Sequence, residues 1–139
     1  ISASPATTAN QVPTWGQVQE IASSGTYTPT FVGVSNVSSV TANGLASWIK
    51  IGNIITCTVP LNITPTASTA TTFTVTIPAT RATANMIFVG SGTLTSSSGF
   101  ALYPARVISS GTTTVSVSYI PANISVGTGV VTFQYDITQ

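Results

Sequence analysis

The sequence predicts an all-β protein: an antiparallel β-sandwich or jelly roll of eight or nine strands, preceded by one short N-terminal helix. Apolar and polar residues alternate with period two in several segments, which is typical of strands that bury one face. Clusters of Gly, Pro, Asn and Ser separate these segments. No helical pattern lies between them, which disfavours a parallel α/β sheet. A length of 139 residues suits one domain with a buried core.

The first 25 residues are predicted to form a linker and a short helix, and residues 26–139 the β-domain. Residues 1–11 are small and polar without periodicity, as in a linker. A helix is predicted over about 14–22, and Gly25 ends it. So short a helix is marginal alone, so we expect it to dock on the domain or to bundle with copies of itself. The prediction depends on the capping-box pair Thr14 and Gln17 and on the apolar stripe Val12, Trp15, Val18 and Ile21 or Ala22.

Nine later segments are strand candidates. The clearest is 72–77, in which Phe73, Val75 and Ile77 share one face and threonines the other. Four prolines lie in or beside the candidates, and proline cannot donate to a central ladder, so we expect them at edges, bulges or strand ends: Pro60, Pro78, Pro104 and Pro121. The full set of candidates is 27–32, 36–41, 45–51, 54–63, 72–77, 86–94, 100–108, 114–119 and 131–137.

A β-hairpin is predicted at 47–59, "SWIKIGNIITCTV", with Gly52-Asn53 as a two-residue turn. This turn pairs Ile51 with Ile54, Lys50 with Ile55, and Trp48 with Cys57. The face with Trp48, Lys50, Ile55, Cys57 and Val59 is the predicted core face, with Lys50 extending from its rim. The opposite face would leave Ile49, Ile51 and Ile54 in water. We therefore expect these three isoleucines to contact a neighbouring chain.

Charge is unusually scarce. Only 4% of the residues are charged and the net charge is +1, whereas about a quarter of residues are charged in ordinary domains. No basic surface exists for nucleic acid or anionic lipid, and no apolar run is long enough to enter a membrane. A surface of neutral Thr and Ser is poorly protected against association, which favours a fixed assembly. With so few titratable groups, we expect stability to change little between about pH 4 and 9.

The residues for catalysis are missing. The chain has no His, so a Ser-His-Asp or Cys-His arrangement is excluded. Cys57 cannot form a thiolate metal site alone; it is either a reactive nucleophile or a small core residue. Glu20 and Asp136 are the only carboxylates and lie far apart in sequence, so the carboxylate pair of a glycosidase is not expected. The prediction is a non-enzymatic protein without catalytic residues, cofactor or metal.

A ligand-contact surface is predicted in "SSSGFALYPAR", residues 96–106. A flexible Ser/Gly run adjoins Phe100, Tyr103 and Arg106. Aromatic rings beside a cation suit a sugar or a protein partner. Alternatively, the two aromatic residues belong to the core of a strand.

Three stretches resemble one protein family. "SGTYTPTFVGVSNVSSVTANGLASWIKIGNIITCTV", residues 24–59, resembles a β-domain of tailed-phage fibre and appendage proteins. "GVVTFQYDIT", residues 129–138, is similar to the closing strand of that domain. "SPATTANQVPTWGQVQEI", residues 4–21, resembles the linker and helix that lie on the three-fold axis before fibre domains. The Thr-rich "TPTASTATT", residues 64–72, departs from the pattern.

The resemblance implies a homotrimeric, non-enzymatic domain on the surface of a virion, joined to other virion proteins at its N-terminus. Trp15, Val18 and Ile21 would then meet at the three-fold axis, and a host-surface glycan or protein would be the partner. Tail, baseplate and head locations are all consistent with it. A head-decorating structural protein without receptor binding and a secreted carbohydrate-binding module are the alternatives.

Overall fold

The computed structural model describes residues 22–80, 88–96 and 102–138. Within these ranges the chain is all-β and antiparallel, as predicted. No helix among them is long and apolar enough to cross a membrane. The strands are β1 Ala22–Tyr27, β2 Phe31–Ser35, β3 Val37–Ala42, β4 Ala46–Ile51, β5 Ile54–Pro65, β6 Thr71–Thr76, β7 Phe88–Ser96, β8 Leu102–Ser109, β9 Thr114–Tyr119 and β10 Gly127–Asp136.

The strands form one sheet in the order β1-β4-β5-β10-β7-β8-β9-β6-β2, and β3 pairs with β5 beside this path. The sheet curls into a half-barrel, so that its concave face encloses the core. β10 is the link between the two halves, because it pairs with β5 on one side and with β7 on the other along almost its whole length.

Strict alternation along the strands builds the core. β5 alternates buried and more exposed residues over nearly all of its twelve positions, and β6 and β9 do so throughout. Phe73, Phe133 and Tyr135 are the largest fully buried side chains. The Tyr135 hydroxyl donates to the Ala79 carbonyl at 2.9 Å and accepts from its N–H at 3.2 Å. These bonds hold the chain after β6 against the inner face of β10.

β2 and β3 form one bent segment that joins opposite parts of the half-barrel. β2 pairs with β6, and β3 pairs with β5. The bend is at Asn36, whose φ of 60° lies in the left-handed region that Asn tolerates better than most residues. Its side-chain amide donates to the Ala67 carbonyl at 2.7 Å, the Thr69 carbonyl at 3.2 Å and the Thr71 hydroxyl at 2.8 Å. Asn36 thus fixes the β5–β6 connection on the bend.

Pro78 and Pro121 lie just beyond strand ends, as predicted, whereas Pro60 and Pro104 lie within β5 and β8, where the ladder on one side is interrupted. Pro60 lies between the part of β5 that pairs with β4 and the part that pairs with β3. Pro104 pairs with β7, but the register of β8 with β9 begins only at Arg106. Pro78 follows β6, and Pro121 follows β9. A missing N–H therefore removes no bond from a ladder with partners on both sides.

Three expectations about the fold need correction or lie outside the described residues. The described residues contain ten strands, not eight or nine. The additional strand is β1, "ASSGTY", which lacks the apolar alternation used to find strands and is held by its backbone pairing with β4. The strands also form one curled sheet and not the two sheets of a sandwich. The predicted helix over 14–22 lies outside the described residues except for Ala22, which begins β1.

Glycines allow the tight curl where β7 and β10 meet. A Cβ on Gly129 would lie 2.1 Å from the Thr93 carbonyl oxygen, and one on Gly90 would lie 2.7 Å from the Phe133 Cβ. Real Cβ atoms do not approach so closely, so these positions require glycine.

Candidate functional site

The β4–β5 hairpin has the register that the sequence predicts. Ile51 pairs with Ile54, Lys50 with Ile55, and Trp48 with Cys57. Gly52 begins the turn with a φ of 60°, a value that glycine adopts without strain. The inner face is also as predicted: Ile55, Cys57 and Val59 are buried, and Trp48 and Lys50 are half-buried.

The opposite face of the hairpin carries an isoleucine patch, formed by Ile49, Ile51 and Ile54. Ile49 is 54% exposed and Ile51 62% exposed, and Ile54 is half-buried. Asp136 pairs with Ile54 from the neighbouring strand and forms one border of the patch. Its carboxylate accepts from the Thr138 N–H at 2.8 Å and hydroxyl at 2.6 Å, and these bonds lower the pKa of the carboxyl group. The patch is therefore apolar surface with a single anion at its edge.

The residues of the predicted ligand surface lie on opposite faces of β8. Arg106 is exposed on the convex face, whereas Tyr103 is only 9% exposed and lies in the core, 6.3 Å from the Tyr119 ring. The Tyr103 hydroxyl is buried without a hydrogen-bond partner among the described residues. Tyr103 is thus a core residue, the alternative reading of its sequence pattern, and does not share a surface with Arg106. Phe100 lies outside the described residues, as do Trp15, Val18 and Ile21.

Arg106 lines an apolar groove of about 500 Å³ on the convex face, called here the Arg106 groove. β9 ends at Tyr119 while β8 continues past that level, so the unpaired side of β8 at Pro104 leaves a notch. Ile120, which is 67% exposed, forms another wall. The lining residues are Ala70, Pro104, Ala105, Arg106, Ser118, Tyr119 and Ile120.

Arg106 also lies within a row of hydroxyl side chains that crosses the convex face, called here the hydroxyl row. Cross-strand pairing places Ser91 and Ser118 on either side of Arg106. Thr72 and Ser118 are within hydrogen-bond distance at 3.1 Å. Sequence reasoning missed this row, although the Thr and Ser at alternate strand positions were its signal. From β1 to β2 it consists of Thr26, Ser47, Thr58, Thr132, Ser91, Arg106, Ser118, Thr72 and Ser35.

A second, smaller cavity of about 220 Å³ lies against the inner face of the β4–β5 hairpin. Trp48 and Lys50 line it together with Tyr27, whose hydroxyl donates to the Thr76 carbonyl at 3.1 Å. Burial raises the pKa of Tyr27 well above its usual value, so this hydroxyl stays protonated as a donor.

Cys57 is fully buried, and burial raises the pKa of its thiol to about 12. A thiol that is inaccessible and protonated at neutral pH is a poor nucleophile, which favours the core reading of Cys57. Within ranges 22–80, 88–96 and 102–138, no group of three His, Cys, Asp or Glu side chains could hold a metal ion.

The chain matches no protein-family model, no curated protein and no solved structure.

Proposed function

We propose that this chain is a structural and adhesive domain of a virion fibre. It would assemble as a homotrimer on the surface of a tailed-phage particle, without enzymatic activity, and contact a glycan or protein of the host surface. The resemblance of residues 24–59 to fibre β-domains motivates the proposal. The single observation that carries it is the isoleucine patch, in which Ile49 and Ile51 are each more than half exposed on the convex surface.

The isoleucine patch supports self-association because its exposure is costly in an isolated chain. Ile49 and Ile51 are each more than half exposed on the same face of β4. Burying a large aliphatic side chain contributes about 1.5–3 kcal/mol relative to leaving it in water. The neighbouring hydroxyl side chains are neutral, so another copy could approach without charge repulsion and with a small desolvation cost.

The N-terminal helix that the resemblance implies also belongs to this proposal. In a trimer, Trp15, Val18 and Ile21 would pack at the three-fold axis, and the isoleucine patch would extend the contact into the β-domain. Other virion proteins would be joined at the N-terminus.

The mass of the full chain in solution tests the trimer. We expect three times the chain mass by sedimentation or light scattering. Ile51→Asp would place a carboxylate in the contact and raise the dissociation constant by at least about tenfold, which corresponds to 1.4 kcal/mol. The cost to the fold of each chain should be about 1 kcal/mol or less, because Ile51 faces solvent there.

Val32→Asp is the matched control. Val32 is 58% exposed on β2, at the other end of the sheet order, so the substitution has a similar effect on strand propensity away from the patch. The control should leave the trimer intact. A monomeric wild-type chain would refute the trimer, and an intact trimer with Ile51→Asp would refute the role of the patch.

The Arg106 groove favours an adhesive role over head decoration without receptor binding, because a groove on the convex face offers a ligand site separate from the isoleucine patch. Screening the intact assembly against host-surface glycans and proteins would distinguish the two roles. Binding would support adhesion, and no binding across a broad panel would favour decoration.

A further inference from the structure

We propose that the Arg106 groove binds a carboxylated sugar, with the carboxylate on the Arg106 guanidinium and the sugar ring against Pro104 and Ile120. This inference rests on the proposed adhesive function and names the chemical class of its ligand.

The charge of Arg106 is available to a ligand. Glu20 lies outside the described residues, and the only carboxylate within them is that of Asp136, which accepts two hydrogen bonds from Thr138. Register separates this carboxylate from Arg106. Arg106 is aligned through Ser91 with Thr132, four residues before Asp136 and two strands away. Four residues of strand span roughly 13 Å, too far for an ion pair.

An arginine in this position favours a carboxylate over a neutral partner. Its planar guanidinium can donate two parallel hydrogen bonds to the two carboxylate oxygens. The cross-strand neighbours Ser91 and Ser118 are neutral, so neither of these two positions adds a second cation beside Arg106.

The walls of the Arg106 groove suit the rest of a sugar. Pro104 and Ile120 are exposed aliphatic surfaces that can cover the C–H face of a pyranose ring. Ser118 supplies a hydroxyl that can both donate and accept hydrogen bonds, as the hydroxyls of a sugar do. The volume of about 500 Å³ lies within the range of about 300–1,000 Å³ typical of small-molecule sites. The apolar wall, the hydroxyl group and the single cation of the groove are therefore complementary to an acidic saccharide.

Glucuronate and glucose are the matched probes, because they differ only in the carboxylate. Each is titrated into the ¹⁵N-labelled full chain, and amide shifts are followed at Ala70, Ser118 and Ile120. Acetate is a third probe, which carries the carboxylate without the ring. We expect saturating shifts with glucuronate and an affinity at least about tenfold weaker for glucose, the factor that one charge-assisted hydrogen bond supplies. Acetate should also bind at least about tenfold more weakly, because it lacks the ring that contacts the aliphatic walls.

Substitutions assign the binding to the guanidinium. Arg106→Gln should weaken glucuronate by at least about tenfold, and Arg106→Lys should weaken it less, because the charge remains without the planar fork. Lys50→Gln, which removes a half-buried cation of the opposite face, should leave the affinity unchanged. Amide spectra that are unchanged away from the groove will show that each variant is folded.

Three results would overturn the inference: equal affinity for glucose and glucuronate, equal affinity for acetate and glucuronate, or no shift at the groove. A trimer without glucuronate binding would refute this inference and leave the assembly proposal standing. A monomer that binds glucuronate would refute the assembly proposal and support this inference. The two outcomes are separable because the isoleucine patch and the Arg106 groove share no residue.

Discussion

Stability should fall at alkaline pH because of one buried thiol. Burial raises the pKa of Cys57 from 9.0 to about 12. A raised pKa in the folded state stabilises the protein fully below the unfolded value, and this contribution is lost as the pH rises towards the folded value. The window for Cys57 therefore runs from about pH 9 to 12.

The expected size follows from the two pKa values. At pH 11 the thiol is ionised in the unfolded chain and protonated in the folded one, two pH units above the unfolded pKa. Each unit corresponds to about 1.4 kcal/mol, so Cys57 alone should lower the free energy of unfolding by about 3 kcal/mol. Burial, with a smaller effect of nearby Tyr103, also raises the pKa of Tyr119, from 10.0 to about 12, which adds a loss above pH 10.

Urea unfolding followed by circular dichroism at pH 8, 9, 10 and 11 measures this loss. The protein concentration is held constant and a reductant keeps the thiol free. Cys57→Ala is the matched variant, because it lacks the thiol and keeps Tyr27 and Tyr119, whose pKa values are also raised. Its free energy of unfolding should be lower than that of the wild type at pH 8, but between pH 8 and 11 it should fall by about 3 kcal/mol less. Equal losses in the two proteins would refute the argument.

Other predictions concern single contacts and the pH range, and urea unfolding measures each of them. Gly129→Ala should cost about 3 kcal/mol or more, because its Cβ would lie 2.1 Å from the Thr93 carbonyl oxygen. A loss below about 1 kcal/mol would mean that β7 and β10 separate easily. Asn36→Ala should cost about 3 kcal/mol, since it combines lost hydrogen bonds with a positive φ, and Asn36→Gly should cost less because it relieves the φ; equal losses would show that only the bonds matter. Tyr135→Phe should cost about 1–2 kcal/mol, because it removes two bonds to Ala79; an unchanged midpoint would argue against this contact. From pH 4 to 9 the wild type should change little, and a sharp transition there would contradict the expectation drawn from its few titratable groups.

The sequence determined which residues face inwards and how the hairpin pairs. The side-chain period of a strand is two, so alternating residues such as Phe73 and Val75 identify the core face without knowledge of the partner strand. A two-residue turn at Gly52-Asn53 leaves only one register for β4 and β5. Both properties are local, which is why they could be predicted. The prolines were predictable for the same reason, because each one lacks its N–H wherever the strand lies.

The sequence could not determine which strands would become neighbours. The backbone groups that pair strands are the same in every strand, so the sequence does not show which strands will pair. The segment "ASSGTY" of β1 has no apolar alternation, and only its pairing with β4 in the structure identifies it as a strand. The same holds for the choice between one curled sheet and two sheets, which depends on β10 pairing along both edges.

Part of the candidate site was predictable from the sequence, and the rest depended on the tertiary structure. The sequence identified the isoleucine patch through the hairpin, and it identified Arg106 as part of the predicted ligand-contact surface. Only the tertiary structure placed Tyr103 in the core and aligned Ser91 and Ser118 on either side of Arg106. It also showed the groove at Pro104, where β8 has no partner on the β9 side. These relations join residues that are distant in sequence, and they arise from the curvature and order of the sheet rather than from the pattern of any one strand.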